Sequence, residues 1–131
     1  MKKTVKIIKN PVSEQQHQLN VIAWSEVMRA EFPELRLMFH VANERICDPR
    51  QGANLRRLGV RRGVPDLCLP VPRGRYHGLF IELKTEKGHT SDEQEWWGEN
   101  LSAQGYLWRV CHGWEAAVTV IQQYLSYGGS V

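Results

Sequence analysis

Apolar and polar positions alternate with two different periods in the first half of the chain. Ser13 and Gln16 have the spacing of a helical capping box, and apolar residues then recur at helical intervals, which predicts a helix over about residues 14–31. Leu35, Leu37, Phe39 and Val41 alternate with Arg36, Met38 and His40, which predicts strand one over residues 35–41. Residues 43–63 are rich in Gly, Asn and Arg and are expected to form a functional loop, with a short helix near residues 53–58 as the alternative.

The second half predicts a hairpin followed by a helix, a strand and a helix. The hairpin strands are residues 66–71 and 79–84, joined by a turn that contains Pro and Gly. A second capping box at Ser91 and Gln94 opens a helix that continues to about Gln104. Residues 106–111 form the last strand, and residues 114–127 form the last helix.

This order, αβββαβα, predicts an α/β fold with a mixed central sheet of about four strands flanked by helices. The helix between strands three and four is expected to be a right-handed crossover, which makes those strands parallel. A length of 131 residues suits a single domain over residues 1–131. No apolar run has the length of a membrane span and the start has no secretory pattern, so a cytoplasmic location is expected.

Positive charge is concentrated in one stretch, although the formal net charge is only +3. Residues 45–62 carry six arginines against a single acid, Asp48, and lead directly into Pro65-Asp66. Such a patch favours a polyanion, and a solvated loop is the alternative interpretation. The six are Arg45, Arg50, Arg56, Arg57, Arg61 and Arg62.

Asp66, Glu82 and Lys84 are charged residues inside strands that otherwise look like core. Glu82 and Lys84 project from the same face of their strand. If the hairpin closes with Val71 opposite Gly78, Asp66 lies opposite Leu83 and within reach of both charges. Two carboxylates at this separation repel each other unless one is protonated or a divalent cation binds.

This charged group predicts a magnesium site with a neighbouring ammonium. Mg²⁺ commonly takes one or two carboxylates, waters and a substrate phosphate. The Lys84 ammonium could orient an attacking water or balance charge on a phosphoryl oxygen. A structural salt-bridge cluster at a strand end is the competing interpretation, and the arginine-rich approach to Pro65-Asp66 favours the metal site over it.

The pattern Pro65-Asp66 followed by Glu82-Leu83-Lys84 resembles the PD-(D/E)XK nuclease superfamily. Longer segments are similar to its VRR-NUC branch, the virus-type replication-repair nuclease domain: "SEQQHQ", "GVRRGVPDL", "GLFIELKTEKGHTSDEQEWW" and "LSAQGYLWRV". The resemblance covers about residues 13–125. It implies a restriction-endonuclease-like core and a DNA endonuclease that depends on Mg²⁺ or Mn²⁺.

The resemblance also implies roles for individual residues. Asp66 and Glu82 are metal ligands, with the Leu83 carbonyl as a further ligand, and Lys84 is the catalytic lysine. The family's helix-one glutamate, a further catalytic residue and metal ligand, matches Glu14 best by position, with Glu26 as the rival. Two glutamines, Gln18 and Gln94, are expected to support the site, although helix capping explains Gln94 equally well. The expected DNA contacts are Arg61 and Arg62 first, then Arg56, Arg57 and Lys87.

The leading functional hypothesis is a structure-selective DNA endonuclease, with resolution of four-way (Holliday) junctions in a phage or bacterial setting as its specific form. The resemblance implies a homodimer, whose two sites could cut two strands symmetrically. The alternatives are a catalytically silent DNA-binding or assembly module and a general nicking or end-trimming nuclease. Substrate shape, preferred metal, sequence preference and protein partners are not encoded in any motif of the chain.

Overall fold

A computed structural model describes residues 12–42 and 48–128 of the chain, so that Arg45 lies outside the described residues. The structure contains four α-helices and one four-stranded sheet in that part of the chain. The helices are α1 (Glu14–Val27), α2 (Pro49–Arg57), α3 (Asp92–Ala103) and α4 (Trp114–Ser126). The strands are β1 (Phe39–His40), β2 (Leu67–Leu69), β3 (Leu79–Lys84) and β4 (Leu107–His112).

The sheet is mixed and its strands lie in chain order, β1-β2-β3-β4. β1 and β2 are antiparallel, β2 and β3 are antiparallel, and β3 and β4 are parallel. The predicted α/β fold class is therefore confirmed, as is the parallel pairing across α3. None of the helices in the described residues has the length and apolar character needed to cross a bilayer.

The long first strand predicted over residues 35–41 is wrong. Pro33–Leu37 forms a 3-10 helix and only Phe39–His40 is a strand. Pro33 at the first helical position fixes φ near the helical value, and this favours the turn over extended backbone. The apolar alternation is not matched by burial, because Leu35 is fully buried whereas Leu37 and Phe39 are about half exposed.

Residues 49–57 form α2, a longer helix than the alternative considered at 53–58 and not the expected loop. Its beginning is encoded locally: the Asp48 side chain accepts a hydrogen bond from the Arg50 N–H, and Pro49 occupies the first helical position. Asp-Pro is thus the sequence signal for this helix. Arg56 and Arg57 lie in its last turn, where positive charge is favourable.

The hairpin register differs by one residue from the expected one. Leu67 pairs with Ile81 and Leu69 with Leu79, so a Val71–Gly78 pair does not form. The expected register does hold at the turn, where Arg73 pairs with Tyr76. The first strand of the hairpin therefore has one extra, unpaired residue between these two regions. The Val71 N–H donates a hydrogen bond to the Leu69 carbonyl at 2.8 Å at this place.

Extending the observed β2–β3 register by one pair places Asp66 opposite Glu82. Directly opposed residues of an antiparallel pair share a face, so Asp66, Glu82 and Lys84 project from the same side of the sheet. In the expected register Asp66 would have projected from the opposite side, because a slip of one residue reverses every side chain.

The other side of the sheet carries the hydrophobic core. Leu79, Ile81 and Leu83 are each 1% exposed and face α1 and α4. Burial of each such side chain contributes about 1.5–3 kcal/mol. The remaining core residues include Val21, Trp24, Leu35, Leu67, Leu69, Leu107, Ala117, Ile121 and Tyr124.

Helix α3 covers the charged side of the sheet and lies very close to β4. A methyl group at Gly98 would fall 2.3 Å from the Trp108 ring, so only glycine allows this approach. Ser91 and Gln94 form the predicted capping box at the helix start. Gly105 follows the helix with φ of +91°, the conformation that ends many helices.

His17 is a buried side chain that joins α1 to the start of α4. Its Nδ1 accepts a hydrogen bond from the Trp114 N–H at 3.1 Å. Burial lowers the His17 pKa below its usual 6.5, while the charges of Glu115 and Glu14 act in the opposite direction. The folded protein therefore takes up this proton less readily than the unfolded chain.

Acidification is expected to destabilise the fold through His17. The contribution is fully present above pH 6.5 and is lost as the pH falls below that value, because only the unfolded chain readily binds the proton. Thermal unfolding at pH 8 and pH 5.5 measures the loss. His17→Asn, which offers an amide oxygen to the Trp114 N–H without titrating, should lose less stability than wild type over this interval. Equal losses in both proteins would contradict the assignment.

Candidate active site

Asp66 is held on both sides by backbone hydrogen bonds. Its Oδ2 accepts a hydrogen bond from the Leu83 N–H at 2.7 Å, and its carbonyl accepts one from the Val41 N–H at 2.8 Å. His40 Nδ1 also lies 2.8 Å from the Asp66 carbonyl. No local pattern predicts the His40 contact, because only the fold brings these two residues, 26 positions apart, together.

Pro65 leaves the Leu83 carbonyl without its usual partner in the sheet. Extending the β2–β3 register by two pairs places Leu83 opposite Pro65. In an antiparallel ladder this residue would donate its N–H to the Leu83 carbonyl, but proline has none. The Asp66 side chain takes the Leu83 N–H instead. Pro65 therefore offers no ladder hydrogen bond to the Leu83 carbonyl.

Glu82 is a buried carboxyl group, only 1% exposed. Its Oε2 accepts a hydrogen bond from Gln94 Nε2 at 3.1 Å, whereas no donor reaches its buried Oε1. Burial raises the pKa of Glu82 to about 9, and both the charge of Asp66 and the hydrogen bond that a protonated Glu82 donates to Asp66 act in the same direction. Lys84 opposes this shift. Without a cation, this carboxyl is protonated at neutral pH.

Lys84 lies between two carboxylates. Its Nζ is 3.8 Å from Glu82 Oε2 and 4.0 Å from Glu14 Oε1, and its side chain is 7% exposed. The flexible lysine stem is thus packed, and the ammonium has a defined position beside Glu82. A charge fixed in this way costs little reorganisation when negative charge develops nearby.

Glu14 is the helix-one carboxylate that lies beside Lys84. It is in the first turn of α1 and is 42% exposed by its side chain. Gln18 lies one turn further along and is half-buried. Glu26, the rival, is exposed twelve residues later, which is about 18 Å along the helix axis. The position of Glu14 therefore agrees with the expected assignment, and its role remains a prediction.

Gln94 forms the capping box and also contacts Glu82, and its support of an active site remains a prediction. Its backbone N–H and side-chain Oε1 complete the capping box with Ser91, at 3.2 and 2.8 Å. Its Nε2 donates to Glu82 at the same time. One amide thus fixes the start of α3 and connects that helix to the buried carboxyl.

The oxygen atoms at this edge fit a hard divalent cation. No donor reaches Glu82 Oε1, the neighbouring Asp66 carboxylate raises the cost of ionising Glu82, and Pro65 offers no N–H to the Leu83 carbonyl. Within residues 12–42 and 48–128, no three His, Cys, Asp or Glu side chains form a metal-binding group. The protein would therefore supply two carboxylates and a carbonyl, and waters and a phosphate would complete the octahedron that Mg²⁺ prefers.

An arginine-lined surface precedes this edge in the chain. We define the arginine loop as residues 59–63, which connect α2 to Val64-Pro65. Arg61 and Arg62 are exposed, and together with Arg56 and Val60 they line a shallow depression of about 350 Å³. Arg61 Nη1 donates to the Arg56 carbonyl at 3.0 Å, which ties the loop to the end of α2. The other expected contacts, Arg57 and Lys87, are exposed on α2 and on the loop before α3.

Comparison with known proteins agrees with the fold and with the motifs. The VRR-NUC domain model matches residues 6–115. A solved structure described as a VRR_NUC domain protein is 32% identical, with a TM-score of 0.78 over 95% of this chain and 96% of the other. No curated protein sequence matches the chain. The family match covers far more than half of the sequence, and the chain therefore belongs to the VRR-NUC domain family and has its nuclease-type fold.

Proposed function

We propose that the protein is a DNA endonuclease that uses Mg²⁺ or Mn²⁺ to hydrolyse phosphodiester bonds. The observation that carries this proposal is the buried Glu82 carboxyl, whose Oε1 no donor reaches and which lies beside Asp66 and Lys84. Two carboxyl groups packed together do not both ionise unless a proton or a cation compensates their charge. A divalent cation that binds there supplies this charge, so the arrangement is explained by a ligand better than by stability.

The chain's own residues prepare the site for hydrolysis. Asp66, Glu82 and the Leu83 carbonyl would hold the cation, which when bound would polarise the scissile phosphate and make a water more acidic. The Leu83 N–H fixes one oxygen of Asp66, and Gln94 fixes one oxygen of Glu82, so both carboxylates are oriented before substrate arrives. Glu14 lies close enough to Lys84 to hold its ammonium in place.

Lys84 is proposed as the residue that acts directly on the reacting groups. Its ammonium can orient the attacking water and stabilise negative charge on the phosphoryl oxygens in the transition state. In-line attack by water leaves 5′-phosphate and 3′-hydroxyl ends and requires no covalent intermediate. Neutralisation of Lys84 would remove this stabilisation without removing either carboxylate.

The arginine loop is proposed to contact the DNA backbone. Arg62 is exposed, and Arg61 keeps donors free because a guanidinium has five N–H groups and only part of them is used on the Arg56 carbonyl. Arg56, Arg57 and Lys87 extend the positive surface. Phosphate contacts of this kind give affinity without sequence specificity.

A catalytically silent DNA-binding module is the alternative function. The Asp66 and Glu14 carboxylates beside a phosphate-binding surface weaken DNA affinity, since they repel the phosphates. A binding module would gain nothing from Glu82. A general nicking or end-trimming nuclease is compatible with the same catalytic group, and the substrate decides between it and a junction resolvase.

Cleavage of a labelled four-way junction and a matched linear duplex distinguishes these functions. Wild type with Mn²⁺ or Mg²⁺ is expected to cut the junction in two symmetric positions, and Asp66→Ala is expected to cut neither substrate. Glu26→Gln, which changes an exposed carboxylate at the far end of α1, is the control and should behave as wild type. Equal cutting of both substrates would favour the nicking nuclease. Absence of cation-dependent cutting by wild type would favour the binding module.

A further inference from the structure

We infer that Trp97 is a positioning residue that fixes the arginine loop against α3 and so determines where the loop's arginines meet DNA. The inference rests on the proposed function, because it assumes that these arginines bind the DNA backbone. Trp97 is not one of the site residues Asp66, Glu82 and Lys84. Through it, α3 would hold the arginine loop in place as well as cover one side of the sheet.

A single hydrogen bond joins the indole of Trp97 to the loop. Trp97 Nε1 donates to the Arg62 carbonyl at 2.8 Å across 35 residues of sequence. The bond holds the backbone of Arg62 while its side chain remains exposed. Since tryptophan has one N–H and no acceptor, this contact uses the only polar group of the side chain.

Gly63 brings the loop into direct contact with the same helix. A methyl group at Gly63 would fall 2.6 Å from the backbone carbon of Glu93, which is closer than real side chains approach. Gly63 also has φ of +83°, where other residues are strained. The loop therefore follows the surface of α3 closely, at the position next to the residue that Trp97 holds.

The same helix reaches the buried carboxyl of the candidate active site. Gln94 Nε2 contacts Glu82, and Gln94 and Trp97 are three residues apart, which is about 4.5 Å along the axis. The close contact of Gly98 with Trp108 and the capping box keep α3 in place on the sheet. Glu82 and Arg62 are therefore connected through one rigid element with a short path between them.

Loss of the Trp97 bond should loosen the loop without changing its charge. The loop would keep its tie to α2 through Arg61 but would have to be ordered when DNA binds. Ordering a mobile loop when DNA binds costs free energy and therefore weakens binding. We expect this cost to raise the Kd about tenfold. The carboxylates and Lys84 would be unaffected, so turnover at saturating DNA should be retained.

Trp97→Phe tests the inference, with Trp96→Phe as the matched control. Trp96 is adjacent and 57% exposed, and its ring contacts that of Trp97 edge-on at 5.5 Å. Fluorescence anisotropy with labelled duplex DNA, without divalent cation, gives the Kd and its dependence on salt. Trp97→Phe is expected to raise the Kd about tenfold and leave kcat with Mn²⁺ within about twofold of wild type. Trp96→Phe should change neither.

A second variant guards against a simple loss of folding. Gly63→Ala disturbs the same contact without altering either tryptophan, and it should raise the Kd in the same way. Thermal unfolding of each variant shows whether the fold is retained. An unchanged Kd in Trp97→Phe, or a loss of kcat with an unchanged Kd, would overturn the inference.

Arg62→Ala separates the failure of this inference from the failure of the proposed function. If Arg62→Ala weakens binding and wild type cuts no DNA, the proposed nuclease activity fails while the effect of Trp97→Phe still tests the loop. If Arg62→Ala weakens binding and Trp97→Phe does not, only the inference fails. If neither Arg61→Ala nor Arg62→Ala changes binding, the loop does not meet DNA and the inference is overturned directly.

Discussion

Asp66→Asn is expected to abolish cation-dependent cleavage while leaving the hairpin intact. The amide oxygen of asparagine can still accept the Leu83 N–H, so the strand edge keeps the hydrogen bond that Asp66 makes at 2.7 Å. The negative charge that would hold the cation is lost. We expect activity to fall by about 10³-fold or more, the scale seen when one member of a catalytic unit is removed.

Initial rates of DNA cleavage and thermal unfolding without cation measure the two effects separately. Asp66→Ala removes both the charge and the hydrogen bond, so it should lose the same activity and additional stability, by about 1–3 kcal/mol. Glu26→Gln provides the control for a carboxylate distant from the site. Retention of substantial activity in Asp66→Asn would show that Asp66 acts through its hydrogen bond alone.

Glu82→Gln is expected to remove the stabilisation of the fold by divalent cations. It is also expected to remove most of the pH dependence of the free energy of unfolding that Glu82 causes. Burial and Asp66 raise the folded pKa of Glu82 from the usual 4.5 to about 9. The folded state therefore holds a proton that the unfolded chain releases, and its stability falls as the pH rises from about 4.5 towards 9. A neutral glutamine does not lose stability in this way. Between pH 6 and pH 8, wild type is expected to lose about 1–3 kcal/mol more stability than the variant.

Thermal unfolding at pH 6 and pH 8, with and without Mn²⁺, measures this prediction. Wild type should be less stable at pH 8 without cation and should recover when Mn²⁺ is added, because a ligand that binds only the folded state stabilises it. The variant should show a smaller pH effect and no response to Mn²⁺. A full Mn²⁺ response in Glu82→Gln would exclude Glu82 as a ligand.

Elements whose signals are local could be predicted from the sequence. The limits of β3 were correct, and α3 was delimited by Ser91 and Gly105, because a capping box and a terminal glycine act over a few residues. The first strand was wrong because apolar alternation at residues 35–41 is a periodicity without matching burial. Tertiary packing buried Leu35 alone and left Leu37 exposed.

The candidate site was predictable in its members and not in its geometry. Asp66, Glu82 and Lys84 stand out as charges in apolar strands, but their common face depends on the extra residue that the turn absorbs near Val71. No local pattern reveals that residue. The contacts of His40 with Asp66 and of Trp97 with Arg62 span 26 and 35 positions, and only the folded chain brings them together.

Pro65 removes one backbone donor from the edge of the sheet where the cation is proposed to bind. Another amino acid at this position could offer an N–H to the Leu83 carbonyl, at a gain of about 0.5–1.5 kcal/mol for the new hydrogen bond. That hydrogen bond would compete with a cation for the same oxygen. If the proposed site is correct, the missing donor is a compromise between stability and function, in which a lost hydrogen bond leaves an oxygen for the cation.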